Sequence, residues 1–391
     1  MANPIYEALP TTIFTVMSGL AQELGAINLG QGFPDEPGPE PIRRRAAEEA
    51  VSGYNQYPPM PGIPALRQAV ADHYRRHQGL DLDWKSEVTV TSGATEALAA
   101  SFLSLISPGD EVVLFQPLYD SYLPMVRRAG GVPRLVRLSP PDFRLTRAAL
   151  EAAFTPRTRL VVLNNPLNPS ATVAPGEDLS LLAEFCVRHD AVAICDEVWE
   201  HVVFDGLTHH PLMAQPGMRE RCVKIGSAGK MFALTGWKVG FVCAAPPLTQ
   251  VIAKAHQFLT FTTPPNLQAA VAWGLEHSDD WFSAMPRALA ASRDRLSEAL
   301  RAESFAVLPS RGTYFLNVDL TASGVAEGDM DFCLRAVQQA GVAAIPISAF
   351  YEQDPVTHLI RLCFPKRDAT LDEGAKRLAK ARELSRRAEG K

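Results

Sequence analysis

Long apolar runs are missing from this chain; none approaches the roughly 20 consecutive residues that span a bilayer. Paired cysteines are missing too. Cys186, Cys195, Cys222, Cys243, Cys333 and Cys363 are scattered, and most sit beside Val, Ile, Ala or Phe. Without a C-x-x-C pair, a zinc site or a disulfide framework is not expected, and most of the six read as reduced core residues. His209–His210 has no H-E-x-x-H context and no carboxylate at ligand spacing, so no metal is expected. No G-x-S-x-G occurs, which removes the serine-hydrolase reading. GQGFPD (30–35) begins like a dinucleotide fingerprint but lacks the third glycine and the strand–turn–helix setting. MANPIYEALP lacks the basic start and apolar stretch of a signal peptide, so a cytoplasmic location is the expectation. Charge of one sign is not in excess either. A formal net charge of -5 gives no electrostatic reason to expect nucleic acid or a membrane as a partner. Arg43–Arg44–Arg45 reads as a solvated helix start.

What is present is an ordinary globular composition, 47% hydrophobic and 21% charged, in a chain of 391 residues, enough for two domains. Short continuous apolar runs alternate with amphipathic stretches. EVTVTSG (87–93), EVVLFQP (111–117), RLVVLNNP (159–166), AVAICDE (191–197), CVKIGS (222–227) and VGFVCAA (239–245) read as strands. ATEALAASFLSLI (94–106) and EDLSLLAEFCVRH (177–189) read as helices between them. That alternation predicts an α/β domain with a mainly parallel sheet covered on both faces. The C-terminal third reads as a smaller α+β unit. It has a helix over roughly 285–303, two strands in 305–320 with a turn at Arg311–Gly312, a strand at 358–364 and a charged helix from about 371 to 388. The first forty residues, rich in Pro and Gly, form no clear element of their own. The expected division is a large domain over 43–280 and a small domain made of 1–42 plus 281–391.

Ligands of α/β sheets bind at the carboxyl ends of strands. Three candidate groups fall at such ends: Asn164 to Asn168, Asp196, and Ser227 to Lys230. A fourth, Ser92–Gly93–Ala94–Thr95, lies where a strand gives way to a helix, and helix N-termini with free N–H groups seat phosphates. One rim thus offers a phosphate cradle, a carboxylate, an amide and a lysine. The set suits pyridoxal phosphate, whose aldehyde needs a lysine, whose ring nitrogen needs an anion, and whose phosphate needs a helix N-terminus and a cation. Read alone, Asp196 would be a helix N-cap and Arg361 a structural ion pair.

The motifs go further. SAGKMFALTGWKVG (227–240) resembles the lysine signature of the class I aminotransferases, which have the type I fold of pyridoxal-phosphate enzymes with a seven-stranded type of sheet. INLGQGFPD (27–35), YNQYPPMPGIPALRQAV (54–70), SGATEAL (92–98), QPLYDSY (116–122), NNPLNPSATV (164–173), CDEVWEH (195–201) and LIRLCF (359–364) agree in order. The resemblance covers nearly the whole chain. It points to the branch of methionine aminotransferases and glutamine transaminase K/kynurenine aminotransferases, through GQGFPD and the Lys of TGWK.

The resemblance implies a role for each matching residue. Lys230 would carry the cofactor and later move the proton between Cα and C4′. Asp196 would pair with the pyridinium nitrogen, Asn168 would donate to the ring O3′, and Tyr119 would stack on the ring. Gly93, Ala94, Thr95, Ser227 and Lys238 would bind the phosphate, with Tyr57 reaching it from a neighbouring subunit. Arg361 would clamp the substrate α-carboxylate, helped by Asn168 and the Gly32 backbone. Phe14 and, across a subunit boundary, Phe261 would line the side-chain pocket. The family usually has Tyr three residues after the ring aspartate; here it is Trp199, whose indole can donate but cannot ionise, so its contact with O3′ is in question.

The expected activity is ping-pong transamination by a homodimer with shared active sites, alternating between pyridoxal and pyridoxamine phosphate. Methionine, glutamine, aromatic amino acids or kynurenine are favoured as donors, because the pocket candidates are aromatic and no second arginine is placed for a distal carboxylate. The alternative is a β-lyase acting on cysteine conjugates or cystathionine on the same scaffold.

Overall fold

Seven strands form one sheet in the order Val88–Thr91, Gly240–Ala244, Cys222–Ser227, Val192–Asp196, Thr158–Asn164, Glu111–Gln116, Val132–Arg137. The computed structural model describes residues 2–389. Every pairing is parallel except the two made by Gly240–Ala244, which runs against both its neighbours. The apolar runs of the sequence are the buried strands, covered along their length apart from exposed Arg159 and half-buried Val192, whereas the edge strand Val132–Arg137 is mostly uncovered. That edge strand has no counterpart in the sequence reading. Pro133 argues against a strand, but an edge tolerates a missing N–H donor. Helix Gly93–Leu105 packs on strands Cys222–Ser227 and Gly240–Ala244 and against helix Pro246–Leu259.

The C-terminal part builds a four-stranded antiparallel sheet in the order Ile345–Pro346, Leu359–Cys363, Phe315–Asp319, Ala306–Val307. Helices Asp279–Ala302 and Asp368–Glu389 pack against each other beside it.

Three details differ from the sequence reading. The first forty residues do form elements: helices Pro4–Glu7 and Ile13–Glu23 and the strand Ile27–Asn28, which pairs in parallel with Val342–Ala343. Thr12 caps the second helix by accepting from Thr15 N, and Met17 and Ala21 bury its inner face. The helix expected from 285 starts at Asp279, because Pro286 lies inside it rather than at its first turn. The turn expected at Arg311–Gly312 is instead part of a longer connection. Gly312 bridges to Val203, and a Cβ there would lie 2.7 Å from Pro166 Cβ. All six cysteines are free and buried. Arg43, Arg44 and Arg45 lie in the first turns of helix Glu40–Ser52, where Arg44 and Arg45 pair with glutamates of the same helix. No helix among the described residues is long and apolar enough to cross a membrane.

Beneath the sheet rim lies a buried ion cluster. Lys224 Nζ, fully buried, binds Glu197 and lies 2.6 Å from Glu200 Oε2. Glu200 also accepts from Tyr74 Oη at 2.9 Å, and His209 Nε2 lies 3.3 Å from Glu197. Glu197, Glu200 and His209 therefore converge, with the Lys224 ammonium as their cation. Burial alone would raise the Glu197 carboxyl, but Lys224 and His209 outweigh it and hold the group at about 2. Lys224→Met would leave two buried carboxylates without their cation, which is expected to cost about 3–5 kcal/mol in urea unfolding. Because the Glu197 pKa is lowered in the fold, its stabilisation is present above the unfolded carboxylate value and is lost as pH falls toward 2. An acid unfolding profile of Lys224→Met as steep as that of the parent chain would contradict this account.

Candidate active site

Reversal of one strand shapes the rim. Because Gly240–Ala244 runs backward, its first residue stands level with the last residues of its neighbours: Gly240 is the register partner of both Ser227 and Thr91. Gly240 has no room for a side chain, since a Cβ would lie 2.7 Å from Gly93 C and 2.8 Å from Ala94 N. Helix Gly93–Leu105 thus starts directly against this strand. Gly93 has φ +74°, and a Cβ on it would meet Lys238 Cε at 3.2 Å and Nζ at 3.3 Å. The first N–H groups of the helix, those of Ala94 and Thr95, and the Lys238 ammonium therefore lie together with Ser227 at one corner. Glu96, in the same first turn, is engaged elsewhere. It accepts from Ser92 N at 3.0 Å and lies 3.0 Å from His256 Nδ1.

Asp196 ends the middle strand. Its Oδ2 accepts from Tyr122 Oη at 2.5 Å, whereas Oδ1, buried as well, has no hydrogen-bond partner among the described residues. Burial raises its pKa, opposed by Tyr122, the Val198 N–H and Lys230. Asn164 Nδ2 donates to Asp196 O at 2.9 Å, and Asn164 Oδ1 accepts from Asn168 N at 2.9 Å. These two bonds tie the Asn-Pro loop to the carboxylate strand. Tyr119 lines the same cavity, edge-on to Tyr122 with ring centroids 5.8 Å apart.

Lys230 follows the next strand on the one-turn helix Ala228–Met231. Its Nζ donates to Tyr314 Oη at 3.0 Å and lies 4.6 Å from the centroid of the Trp199 ring. Burial pushes the amine down to about 8, so near neutral pH a sizeable fraction is uncharged. Trp199 packs edge-on against Tyr314, ring centroids 4.3 Å apart.

Arg361, 1% exposed, comes from the small antiparallel sheet. Nη1 donates to Asn168 Oδ1 at 2.7 Å and Nη2 to Gly30 O at 2.9 Å, while Nε has no partner. Phe315, Phe14 and Phe350 surround the guanidinium, at 3.9, 5.2 and 5.2 Å from their ring centroids. Burial lowers its pKa to about 10, still far above neutral, so the charge is retained.

One cavity of about 400 Å³ collects Phe14, Gly32, Gly93, Ala94, Thr95, Tyr119, Asn168, Asp196, Trp199, Ser227, Lys230, Lys238 and Arg361. Two predicted residues stay outside it. Tyr57, 80% exposed, and Phe261, 38% exposed, pack edge to face on each other with centroids 5.5 Å apart. Tyr122, Tyr314 and Phe315 are not among the residues the sequence singles out, and Asn164 is so only as part of the candidate group Asn164 to Asn168, although each touches Asp196, Lys230, Asn168 or Arg361. Tyr122 lay inside the quoted QPLYDSY motif, and Asn164 stood at the end of a called strand. Tyr314 had no local signal at all.

Residues 25–378 match the family described as aminotransferase class I and II. The probable N-succinyldiaminopimelate aminotransferase of Mycobacterium tuberculosis is 45% identical over 380 residues, 94% of this chain and 96% of that protein. Its solved structure superposes with a TM-score of 0.94, covering 97% of this chain and 100% of that one. The methionine aminotransferase of Escherichia coli is 45% identical over 371 residues, 95% and 96% of the two chains. Rat kynurenine–oxoglutarate transaminase 1 is 35% identical over 412 residues, 97% of each chain. With the buried lysine, carboxylate and guanidinium gathered in one cavity of the expected fold, the chain belongs to the class I and II aminotransferases, which are pyridoxal-phosphate-dependent enzymes.

Proposed function

We propose that this aminotransferase holds pyridoxal phosphate on Lys230 and works on amino acids with unbranched or aromatic side chains, in ping-pong order. The observation that carries the reading is a buried amine with a pKa near 8 in the same cavity as a buried carboxylate oxygen that has no protein partner. The residues fit the cofactor at each of its polar points. Asp196 Oδ1 is free to meet the ring nitrogen, and the Tyr122 hydroxyl on Oδ2 keeps the carboxylate turned toward the cavity. The Gly93–Ala94–Thr95 N-terminus with Ser227 and Lys238 suits the phosphate. Asn168, whose Oδ1 is taken by Arg361, has its amide N–H left for a ring oxygen, and Tyr119 offers a face for stacking. When bound, the cofactor supplies an electron sink for the charge left at the substrate Cα.

The chain does the rest. Arg361, held by Asn168 and Gly30 and walled by phenylalanines, would take the substrate carboxylate in a fork and fix the direction of the Cα–H bond. Lys230 Nζ would accept the Cα proton, a task for which a pKa near the working pH is suited. In ping-pong order the first 2-oxo acid leaves before the second enters the same clamp. Among the described residues the cavity is lined by three cations, Lys230, Lys238 and Arg361, none of them a second clamp for a distal carboxylate. That supports methionine, glutamine, phenylalanine or kynurenine over dicarboxylic donors. Tyr57 and Phe261, exposed and away from their own cavity, support a homodimer in which each completes its neighbour's site. Six free, buried cysteines support a reducing compartment such as the cytoplasm.

Borohydride reduction of the holoenzyme should leave a stable mass adduct on the Lys230 peptide; an adduct on another lysine would refute the assignment. Arg361→Lys should lower kcat/KM on the order of a hundredfold, since a point charge replaces a fork. Among donors, methionine, glutamine, phenylalanine and kynurenine should exceed aspartate and N-succinyldiaminopimelate at least about tenfold in kcat/KM. The reverse order would overturn the substrate reading. Lys230→Ala and Tyr57→Ala proteins, each weak alone, should regain activity when mixed and allowed to exchange subunits. No gain on mixing, with exchange demonstrated, would argue for self-contained sites.

A further inference from the structure

The wall behind Lys230 holds a polar contact that the motifs leave out. Tyr314, 3% exposed, donates its hydroxyl proton to Gly32 O at 2.6 Å and accepts from Lys230 Nζ at 3.0 Å. A phenol has one proton. With that proton on Gly32 O, only lone pairs face the amine, so the direction of the Lys230 bond is fixed. No other hydrogen bond to Nζ is made by the described residues, and its remaining near neighbours are the faces of Trp199 and Tyr314, at 4.6 and 5.3 Å. Asp196, Arg361 and Lys238 act on Nζ by charge, without a hydrogen bond to it, and the Cys363 thiol, pushed up by burial to about 11, faces it uncharged near neutral pH.

The seat is rigid for identifiable reasons. Gly32 lies so close to Phe315 that a Cβ would come within 2.8 Å of Phe315 Cζ, which fixes the carbonyl that Tyr314 uses. Two residues earlier, Gly30 O takes Arg361 Nη2. The same short glycine segment therefore sets both the lysine's partner and the guanidinium. The tyrosine that relatives carry three residues after the ring aspartate is Trp199 here, and it leaves this chain no phenol at that point. Tyr314 brings a phenol to the lysine from a different strand.

We propose that Tyr314 is the positioning residue of the catalytic lysine. Its hydroxyl, anchored on Gly32 O, receives the Lys230 amine whenever that amine is free and holds it over the Trp199 face, turned toward the substrate Cα. The proposal rests on the reading of Lys230 as the cofactor lysine, and two measurements separate the two. Borohydride trapping of the parent holoenzyme tests the lysine assignment alone. The pyridoxamine-phosphate form, prepared by adding amino donor, then tests Tyr314. In it, the pH dependence of reductive methylation of Lys230 by formaldehyde and cyanoborohydride is read by peptide mass spectrometry.

Tyr314→Phe removes an acceptor from the ammonium, so the midpoint for Lys230 should move down by about one pH unit. At the same time kcat should fall roughly tenfold with KM changed less than about twofold, the split expected for lost orientation rather than lost binding. Trapping at Lys230 together with an unmoved methylation midpoint in Tyr314→Phe would overturn the role of Tyr314 and leave the lysine assignment standing. Should Tyr314→Phe not fold, 3-fluorotyrosine at 314 keeps the shape and both hydrogen bonds but weakens the accepting oxygen. A smaller downward shift is then expected, and no shift counts against the proposal.

Discussion

The site depends on burying three ionisable groups without giving any of them a full set of protein partners. Asp196 has one oxygen satisfied by Tyr122 and one unsatisfied; Arg361 has two nitrogens bonded and Nε free; Lys230 has a single neutral phenol. Transfer of such groups from water costs several kcal/mol each unless charge or hydrogen bonds compensate. The fold tolerates this because each group is fixed by a rigid element whose stability comes from elsewhere: two sheet strands and a one-turn helix set between apolar strands. All three residues line one cavity, so a ligand that completes them would bring a donor to Asp196 and an anionic group to Arg361. Selectivity for that chemistry follows from the cost of leaving the same groups unpaired.

Backbone contacts of glycine make the arrangement possible. The backward strand brings Gly240 level with Ser227 and Thr91, and the start of the Gly93 helix lies against it at a distance no side chain would permit. Lys238, with φ +54°, then turns its ammonium to Gly93. On the opposite wall Gly32 lies against Phe315 and Gly30 receives Arg361. The corner at Gly93 and Lys238 and the wall at Arg361 are thus each set by a close backbone approach.

Much of this was legible in the sequence. Asn168, Asp196 and Lys230 lie at or just past the carboxyl ends of short apolar strands, where α/β proteins bind ligands; that position marks a ligand rim, and the motif resemblance supplies the role expected of each. Arg361 stood out as a charge inside an apolar strand. Tyr122 and Tyr314 were not legible, because their partners lie 74 and 84 residues away in sequence and nothing local marks the contact. The helix Ile13–Glu23 was hidden among prolines and glycines on either side, although its Thr12 cap and its buried Met17 and Ala21 follow ordinary helical rules. The helix expected over roughly 285–303 opens earlier, at Asp279, with Pro286 inside it.

Two lysines close in sequence, Lys224 fully buried and Lys230 half-buried, show how surroundings set the charge of an amine. Desolvation by itself lowers the pKa of each. Lys224 is met by Glu197 and Glu200, whose charges outweigh desolvation and raise its pKa, so it stays an ammonium that binds strand to loop. Lys230 is met by an aromatic face and a phenol already committed to Gly32 O, with Asp196 acting only at a distance, and its pKa falls to about 8. A carboxylate beside Lys230 as close as those beside Lys224 would keep it charged and useless as a nucleophile or base near neutral pH. An environment with no polar partner would leave its direction undefined. A neutral oxygen with its own proton spent meets both requirements, since it orients the amine while favouring the charged form far less than a carboxylate would.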